Sequence, residues 1–460
     1  INNVYISKPG GGILKPQLTE SFNGGTSALT NLRLKYERRF ENHEINTFVA
    51  MEQQLNNDRS FSAFRKDFIS YAIDELFAGS LVDQSTGGIR SESGRSNFFG
   101  RLSYGFKDKY LLDFNFRYDG SSNFPPGKQY GFFPGLSAAW RISHEEFMKS
   151  LKAVDELKIR ASYGKMGNDA VAAFQHLALY TLGNQGYHFG FPSAFSQGLT
   201  VGVTPNPNMT WEVLTSSNIG LDGSMWNNRL GFTIDVFKQK RSNILATRSL
   251  AIPVYTGLKL PNENIGVVEN KGIELTLSTA QTLGAVRYHI SGNMGYAKNK
   301  IIDISEAANI PEWQKSEGHV IGAARYYKAL GIFRTQNEVD NSPVYPGTKV
   351  GDLQYEDVNG DNKIDAADMV MTDKINIPQI TYGLNMSLSY KNVSLWANFA
   401  GQARVWQYYH QNARIAINAL QEFIVNRYTP GSMDSKYPTL PTIEAGAGGE
   451  VNGQLSDFWL

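Results

Sequence analysis

The chain has 460 residues, no cysteine and a formal net charge of +1 from 44 basic and 43 acidic side chains. These numbers exclude disulfides, thiolate chemistry and the strongly basic surface that a nucleic-acid binder needs. No apolar run approaches 18 residues, which excludes a transmembrane helix but not the short, half-apolar strands of a transmembrane barrel.

Apolar and polar residues alternate with a period of two along much of the chain, and this pattern predicts half-buried β-strands. In one segment the two faces are plain: Leu112, Phe114 and Phe116 lie on one, and Asp113, Asn115 and Arg117 lie on the other. About twelve strands are predicted, and several have the roughly 9–11 residues that cross a bilayer. They are 30–40, 44–56, 96–106, 110–119, 132–141, 156–164, 213–222, 229–240, 269–280, 285–297, 380–390 and 393–401.

Short and long connections alternate between these strands. Short turns follow residues 40, 106, 222, 280 and 390, whereas long connections are predicted at 57–95, 165–212, 241–268 and 298–379. Antiparallel neighbours place all short turns on one rim and all long loops on the other, as in outer-membrane barrels. Aromatic residues beside the short turns would form an interfacial girdle: Phe40, Phe106, Tyr110, Trp140, Trp226 and Tyr390.

The predicted fold class is therefore all-β, a transmembrane antiparallel β-barrel with long extracellular loops. Residues 1–29 are predicted to be an extracellular loop or leading segment, 30–401 the barrel strands with their loops, and 402–460 a further extracellular loop. The alternative is a soluble β-sandwich, a secreted lectin or adhesin that binds glycans, because sandwich strands alternate in the same way.

Five blocks of sequence resemble the SusC/RagA family of TonB-dependent outer-membrane transporters. They are Phe99–Tyr104, Lys109–Ser121, Gly131–Ser143, Leu157–Gly164 and Asn264–Leu275. The resemblance implies a barrel of about 22 strands with an internal plug, of which this chain would hold about twelve strands. It implies that the plug, the TonB box and the remaining strands lie outside this sequence, and that the 402–460 loop leads to the final strands.

The resemblance also implies function and partners. The protein would import a nutrient across the outer membrane of a Gram-negative, Bacteroidetes-like bacterium. An oligosaccharide is favoured over an oligopeptide as that nutrient. Its partners would be a SusD-like surface lipoprotein, the TonB complex, the remaining barrel and plug segments and outer-membrane lipid. No organic cofactor, no nucleic acid and no enzymatic activity are expected, because the sequence lacks zincin, nucleophile-elbow and nucleotide-binding motifs.

One segment of the longest loop has the spacing of an EF-hand loop. Oxygen-bearing side chains stand at positions 1, 3, 5, 9 and 12, position 7 would offer its backbone carbonyl, and an isoleucine stands at position 8. Position 6 is asparagine rather than glycine, and position 12 is aspartate rather than glutamate. The pattern predicts a structural Ca²⁺ site, with an Asx-rich turn as the alternative: Asp357, Asn359, Asp361, Lys363, Asp365 and Asp368.

Aromatic residues in the long loops are candidates for substrate binding, because their faces stack on sugar rings while polar neighbours bind the hydroxyls. The alternative for each ring is packing of one loop against another. The candidates are Trp211, Trp313, Tyr326, Tyr327, Trp406, Tyr408 and Tyr409.

Overall fold

The computed structural model of the chain describes residues 16–69, 72–82, 84–191, 194–248, 259–408, 421–432, 434–440 and 451–460. Strands dominate these residues, and the two α-helices, α1 (Gln336–Asp340) and α2 (Gln421–Val425), have five residues each. Among the described residues, no helix is both long enough and apolar enough to cross a membrane.

Eighteen strands are numbered in chain order. They are β1 Gln17–Phe40, β2 His43–Lys66, β3 Ser85–Phe106, β4 Tyr110–Ser121, β5 Tyr130–Arg141, β6 Val154–Asn168, β7 Tyr180–Phe189, β8 Ala194–Val201, β9 Glu212–Met225, β10 Leu230–Thr247, β11 Asn262–Leu283, β12 Val286–Asp303, β13 Ala324–Tyr326, β14 Ala329–Ile332, β15 Leu353–Tyr355, β16 Val370–Thr372, β17 Ile380–Tyr390 and β18 Val393–Ala403.

Twelve strands form one large sheet in which each strand is hydrogen-bonded to the next strand of that sheet in chain order. The order is β1-β2-β3-β4-β5-β6-β9-β10-β11-β12-β17-β18, and three two-stranded sheets, β7-β8, β13-β16 and β14-β15, lie in the long connections. This meander confirms the predicted antiparallel sheet of twelve strands. It does not have the Greek-key order typical of a β-sandwich.

The short turns lie where the sequence predicts them. Lys107 and Asp108 join β3 to β4 with φ angles of 54° and 55°, and Asn227 and Asn228 join β9 to β10 with φ of 58° each. Asparagine and aspartate tolerate this left-handed region better than other non-glycine residues. Tight turns of this kind match the right-handed twist of the strands that they connect.

The long-loop ends of several strands extend well beyond their predicted limits. The boundary predicted at residue 30 is wrong, because β1 already begins at Gln17. The predicted connection 57–95 is likewise mostly strand, since β2 runs to Lys66 and β3 starts at Ser85. With 24 residues each, β1 and β2 span about 80 Å at a strand rise of about 3.3 Å per residue. The backbone hydrogen bonds between these strands therefore continue beyond the segments in which apolar and polar residues alternate.

The described residues divide into two compact units. The first comprises residues up to 107, 111–136 and 165–211. It has a small aromatic core, in which Trp211 packs against Phe124 and against Phe133 of β5, with ring centroids 5.0 and 5.3 Å apart. Phe124 and Met209 are fully buried there.

The second unit comprises 108–110, 137–164 and the residues from 212 onward. It contains a larger core that is built from loops rather than from the large sheet. We call it the loop platform: residues 310–372 together with the described residues from 421 to 460. Its buried residues are Tyr327, Leu353, Tyr355, Ile364, Phe423, Val451 and Trp459.

Candidate functional site

One face of the large sheet leaves apolar side chains uncovered. On β4, Leu112 and Phe114 are 44% and 39% exposed, and the rings of Phe114 and Phe116 stack 6.2 Å apart. Exposed apolar residues recur at alternate positions of β1, β2 and β3 as well. A sheet face of this kind suits hydrocarbon, because lipid is the solvent that accepts such side chains.

The opposite face of the same strands is polar and its charges are paired. Asp113 accepts hydrogen bonds from Arg101 at 2.8 Å and from Ser103 at 2.9 Å, and Arg117 forms a two-pronged pair with Asp119. Asp113 and Arg117 thus lie on the face opposite Phe114, as the alternation predicts. Paired charges of this kind are suited to a lumen that contains water.

A second polar network occupies β6, β9 and β10. The guanidinium of Arg160 donates to Asp222 at 3.0 Å and to Asp235 at 2.6 Å, while Lys158 pairs with Asp222. Arg160 lies over Gly220, where a Cβ atom would come within 2.4 Å of its Cζ atom. A side chain at this position would push the guanidinium aside, so Gly220 lets one arginine connect three strands.

The short-turn rim has a hydrogen-bonded aromatic pair. Tyr110 and Trp140 stack with centroids 6.4 Å apart, and the Glu145 carboxylate accepts from the Tyr110 hydroxyl at 2.7 Å and from the Trp140 indole at 3.2 Å. These bonds, together with one from Lys109 at 2.9 Å, lower the pKa of Glu145 to about 2. The arrangement holds two girdle residues and the 142–153 turn together.

The loop platform joins two stretches of chain that are distant in sequence. The amide of Tyr327 donates to Leu455 at 2.8 Å, and the amide of Asp457 donates back to Tyr327 at 3.0 Å. Buried Asn452 accepts from the Leu353 amide and donates to Asp352, both at 2.8 Å. The last ten residues are therefore an integral part of the platform.

The predicted calcium-binding loop, residues 357–368 and called the calcium loop below, lies at the edge of this platform. Asp357 accepts from the amides of Gly360 and Asn362 at 2.8 Å each, and from that of Asp361 at 3.2 Å. Gly360 and Asn362 have φ of 75° and 62°, so the asparagine at position 6 adopts the left-handed turn that glycine otherwise provides. Ile364, at position 8, is 2% exposed and anchors the loop in the core.

The final aspartate of the loop is fully buried. Asp368 accepts from the amides of Val358 and Asp365 at 2.9 Å each and from that of Asn359 at 3.3 Å, which ties the end of the loop to its beginning. In the part of the chain that the structure describes, no group of three or more His, Asp or Glu side chains is arranged to hold a metal ion. The backbone turn and the donor chemistry fit Ca²⁺, and calcium binding stays a prediction.

The aromatic candidates fall into two groups. Trp211 and Tyr327 are buried, at 6% and 5% exposure, and the Trp211 indole donates to the Gln129 carbonyl at 3.1 Å. Burial raises the pKa of Tyr327 to about 12, assisted by Tyr345 and the nearby aspartates. These two rings support the loops from within.

The other rings are half-buried at the surface of the second unit. Tyr326 and Tyr408 lie with centroids 5.5 Å apart, and the Trp313 indole donates to the Ala367 carbonyl at 2.9 Å, beside the calcium loop. The Trp406 amide donates to Ile375 at 2.9 Å. Tyr409 lies outside the described residues. The structure thus brings Tyr326 and Tyr408 together and places Trp313 against the calcium loop.

Sequence reasoning missed the residues that hold the platform together. Asn452, Asp352 and Ser456 are buried polar residues, and Trp459 is the largest fully buried side chain. For Asn452, Ser456 and Trp459 the sequence signal is the aromatic, asparagine-containing segment 451–460, which a loop interpretation does not explain. An alternation pattern cannot detect them, because their environment comes from loops far apart in the chain.

Comparison with known proteins agrees with this architecture. A family model described as "TonB dependent receptor-like, beta-barrel" matches residues 7–432. The chain therefore belongs to this family of TonB-dependent receptor β-barrels, and the predicted resemblance to the SusC/RagA transporters is confirmed.

Individual relatives are similar to this chain over part of their own length. TonB-dependent receptor P26 of Formosa agariphila is 32% identical over 358 residues, which cover 75% of this chain and 36% of that protein. TonB-dependent receptor SusC of Bacteroides thetaiotaomicron is 26% identical over 328 residues, 68% of this chain and 31% of that protein. The chain thus spans about a third of the length of these curated relatives.

Among solved structures, the RagAB peptide transporter has the same fold. The similarity has a TM-score of 0.77 at 21% identity and covers 97% of this chain and 48% of that chain. The fold of this chain therefore corresponds to about half of the solved one.

Proposed function

We propose that the chain is the barrel portion of a TonB-dependent importer in the outer membrane of a Gram-negative, Bacteroidetes-like bacterium. The observation that carries this proposal is the opposite character of the two sheet faces. Phe114 and its neighbours are apolar and uncovered, whereas Asp113 and Arg117 lie among paired charges on the other face. A lipid-facing surface around a polar lumen is what a solute channel requires.

The cargo that we propose is an oligosaccharide, captured with a SusD-like lipoprotein and moved by TonB acting on a plug elsewhere in the protein. Half-buried aromatic rings beside polar groups, such as the Tyr326–Tyr408 pair, support a sugar ligand. The relative named SusC supports the partner. No covalent chemistry belongs to this proposal.

Uptake by cells tests the proposed function. A deletion strain that carries the full-length gene should accumulate fluorescently labelled neutral oligosaccharides, and the same strain without TonB should not. The triple variant Tyr326→Ala, Trp406→Ala and Tyr408→Ala should lower uptake while the protein still reaches the outer membrane. Uptake of labelled oligopeptides instead, which are the cargo of the RagAB peptide transporter, would replace the oligosaccharide proposal.

We also propose that the 357–368 loop binds Ca²⁺. Side-chain oxygens of Asp357, Asn359, Asp361, Asp365 and Asp368 and the Lys363 carbonyl would hold the ion. The support is the turn at Gly360 and Asn362 and the crowding of four carboxylates into twelve residues. A divalent cation would remove their mutual repulsion. Its role would be to stiffen the edge of the platform.

Trp313 allows a direct test, because its indole lies against the loop and can transfer excitation to bound Tb³⁺, a Ca²⁺ substitute. Purified full-length transporter should show sensitised Tb³⁺ emission that Ca²⁺ displaces. Asp361→Ala should abolish the emission, whereas Asp340→Ala, outside the loop, should keep it. Trp313→Phe should lose the emission but still bind Ca²⁺ by calorimetry. Absence of calcium binding in the wild type would leave only the Asx-rich turn.

A further inference from the structure

The polar face of β1, β2 and β3 contains a depression of about 340 Å³. It lies about 50 Å along β1 from the turn at Glu41, which for a strand tilted by about 40° is a height of about 40 Å and exceeds the roughly 25 Å apolar band of a barrel. Its side chains share the face of Arg101 and Ser103, which bind Asp113 on the polar side of the sheet. The residues that line it on this face are Asn23, Gly25, Asp58, Ser60, Ile89 and Ser91. Gly24 and Arg59 also line it, from positions that the strand alternation directs to the other face.

The strand register arranges this face in three rows. The pairing places the residues of each row side by side across the three strands, about 4.8 Å apart. The rows are Asn23–Ser60–Ile89, Gly25–Asp58–Ser91 and Ser27–Asn56–Ser93.

The third row is closed by hydrogen bonds. The Ser27 hydroxyl donates to the Asn56 side-chain oxygen at 2.7 Å, and the Asn56 amide donates to the Ser93 hydroxyl at 3.2 Å. This row therefore borders the depression with groups that already have partners.

The middle row is open because Gly25 has no side chain. A Cβ atom at Gly25 would lie 2.2 Å from Oδ1 of Asp58, so the carboxylate occupies the space above the glycine. The backbone at this glycine is ordinary strand, since Gly25 is not among the positive-φ residues. What requires glycine here is space, and alanine would push the carboxylate aside.

Asp58 brings an acceptor into this space. Among the described residues no cationic side chain is paired with it. Asn23, Ser60 and Ser91 can each donate and accept, and Ile89, which is 71% exposed, adds an apolar surface. The set repels anions, because the carboxylate is the charge that the lining presents on this face, whereas the alternation directs the Arg59 side chain to the other face. A site with both donors and acceptors suits the hydroxyl groups of a ligand, because a hydroxyl can donate and accept. A protonated amine only donates and would use the acceptors of the site alone.

We propose that this depression binds a neutral polyhydroxylated unit of an oligosaccharide, with Asp58 accepting from its hydroxyls. The inference rests on the proposed import function and assigns it a subsite in the barrel wall. Hydrogen bonds to a charged group are worth about 1.5–3 kcal/mol, which corresponds to a factor of about 10 to 100 in affinity.

Binding to a glycan array measures this directly. Labelled full-length transporter would be applied to neutral glucans, mannans, xylans and galactans, to uronic-acid oligomers and to lysine-containing oligopeptides. Neutral glycans should bind, and Asp58→Asn and Gly25→Ala should each weaken them about tenfold. Gly87→Ala is the matched control on the same face, because the nearest atom to its Cβ lies 3.6 Å away.

A second measurement locates the ligand. The chain has no cysteine, so Ser91→Cys introduces the one thiol of these 460 residues, and its maleimide labelling rate can be followed. A neutral glycan that binds on the array should slow labelling at least fivefold at saturation, whereas the same thiol in the Gly25→Ala background should be protected much less.

The outcomes separate this subsite from the import function. If the transporter imports a neutral glycan, and Asp58→Asn and Gly25→Ala bind that glycan with unchanged affinity, the subsite is overturned and the import function still stands. Wild-type binding of uronic-acid oligomers or lysine peptides in preference to neutral glycans would overturn both the subsite chemistry and the oligosaccharide cargo. If a bound neutral glycan does not slow maleimide labelling of the Ser91→Cys variant, the glycan binds elsewhere in the protein and the subsite is overturned.

Discussion

The large sheet and the loop platform use the same residue types in opposite environments. Phe399 and Leu395, on one face of β18, are 57% and 66% exposed, whereas Phe423 and Leu353 in the platform are each 1% exposed. An exposed apolar row is a liability in water and a stabilising surface in lipid. Burial within the chain therefore identifies the core of the platform, but it says nothing about the stability of the sheet, whose apolar face requires the bilayer.

The two regions also satisfy their backbones differently. Sheet amides bond to the next strand in register, as the unbroken pairing of β1 with β2 shows. The platform depends on side chains for the same purpose: Asn452 accepts from the Leu353 amide, and Asp368 accepts from three amides of its own loop. Single substitutions should therefore affect the platform locally and leave the barrel ladder intact.

The largest effect is expected for Phe423→Ala, which removes a fully buried ring from the platform. Loss of a buried phenylalanine costs about 3–5 kcal/mol, so hydrogen exchange in residues 324–372 and 421–432 should accelerate strongly. Phe399→Ala is the matched control, because its ring contacts lipid in the proposed membrane orientation. Equal acceleration in both variants would mean that the two regions do not differ as described.

Phe114→Arg tests the lipid-facing side with a charge. An arginine at mid-membrane on this face should destabilise the folded barrel by about 2–4 kcal/mol, measured by denaturant unfolding in phospholipid vesicles. Asn115→Arg, which points to the polar face, should cost little. A reversed ranking would show that the two faces have been exchanged.

Asn452→Ala should have an intermediate effect on the platform. It leaves the buried Leu353 amide without its acceptor, at a cost of about 2 kcal/mol, whereas Asp352 keeps the Thr439 hydroxyl and the Lys349 amide as donors. Protease cleavage within 324–372 should increase, while the gel shift on boiling that is typical of folded barrels should persist. Loss of that gel shift would couple the platform to barrel assembly and contradict local unfolding.

The smallest effect concerns pH at the short-turn rim. The pKa of Glu145 falls from its ordinary 4.5 to about 2, chiefly because of the Tyr110 hydroxyl. A depressed carboxyl pKa stabilises the folded turn above pH 4.5, and this stabilisation is lost as the pH falls toward 2. Trp140 fluorescence should change across that window in the wild type and stay flat in Glu145→Gln. A titration midpoint near 4.5 would mean that the contact is absent.

The sequence predicted the membrane-proximal half of the sheet with good accuracy. The strand ends beside the short turns at Phe40, Phe106, Tyr110, Arg141 and Tyr390 coincide with the predicted ends. There, one face contacts lipid and the other contacts water, so every second residue must be apolar and the alternation is present in the sequence itself. Family membership followed from the same segments.

Tertiary structure alone decided the rest. The far ends of β1, β2 and β3 carry polar residues on both faces, so their strand character depends on neighbouring strands rather than on any local pattern. The loop platform depends on Ile364, Phe423 and Trp459 sharing one core, although 59 and 95 residues of chain separate the isoleucine from the two rings. The depression at Gly25 exists only because the register places a glycine opposite Asp58. Periodicity reports the local environment of a strand, whereas these features arise from contacts between distant segments.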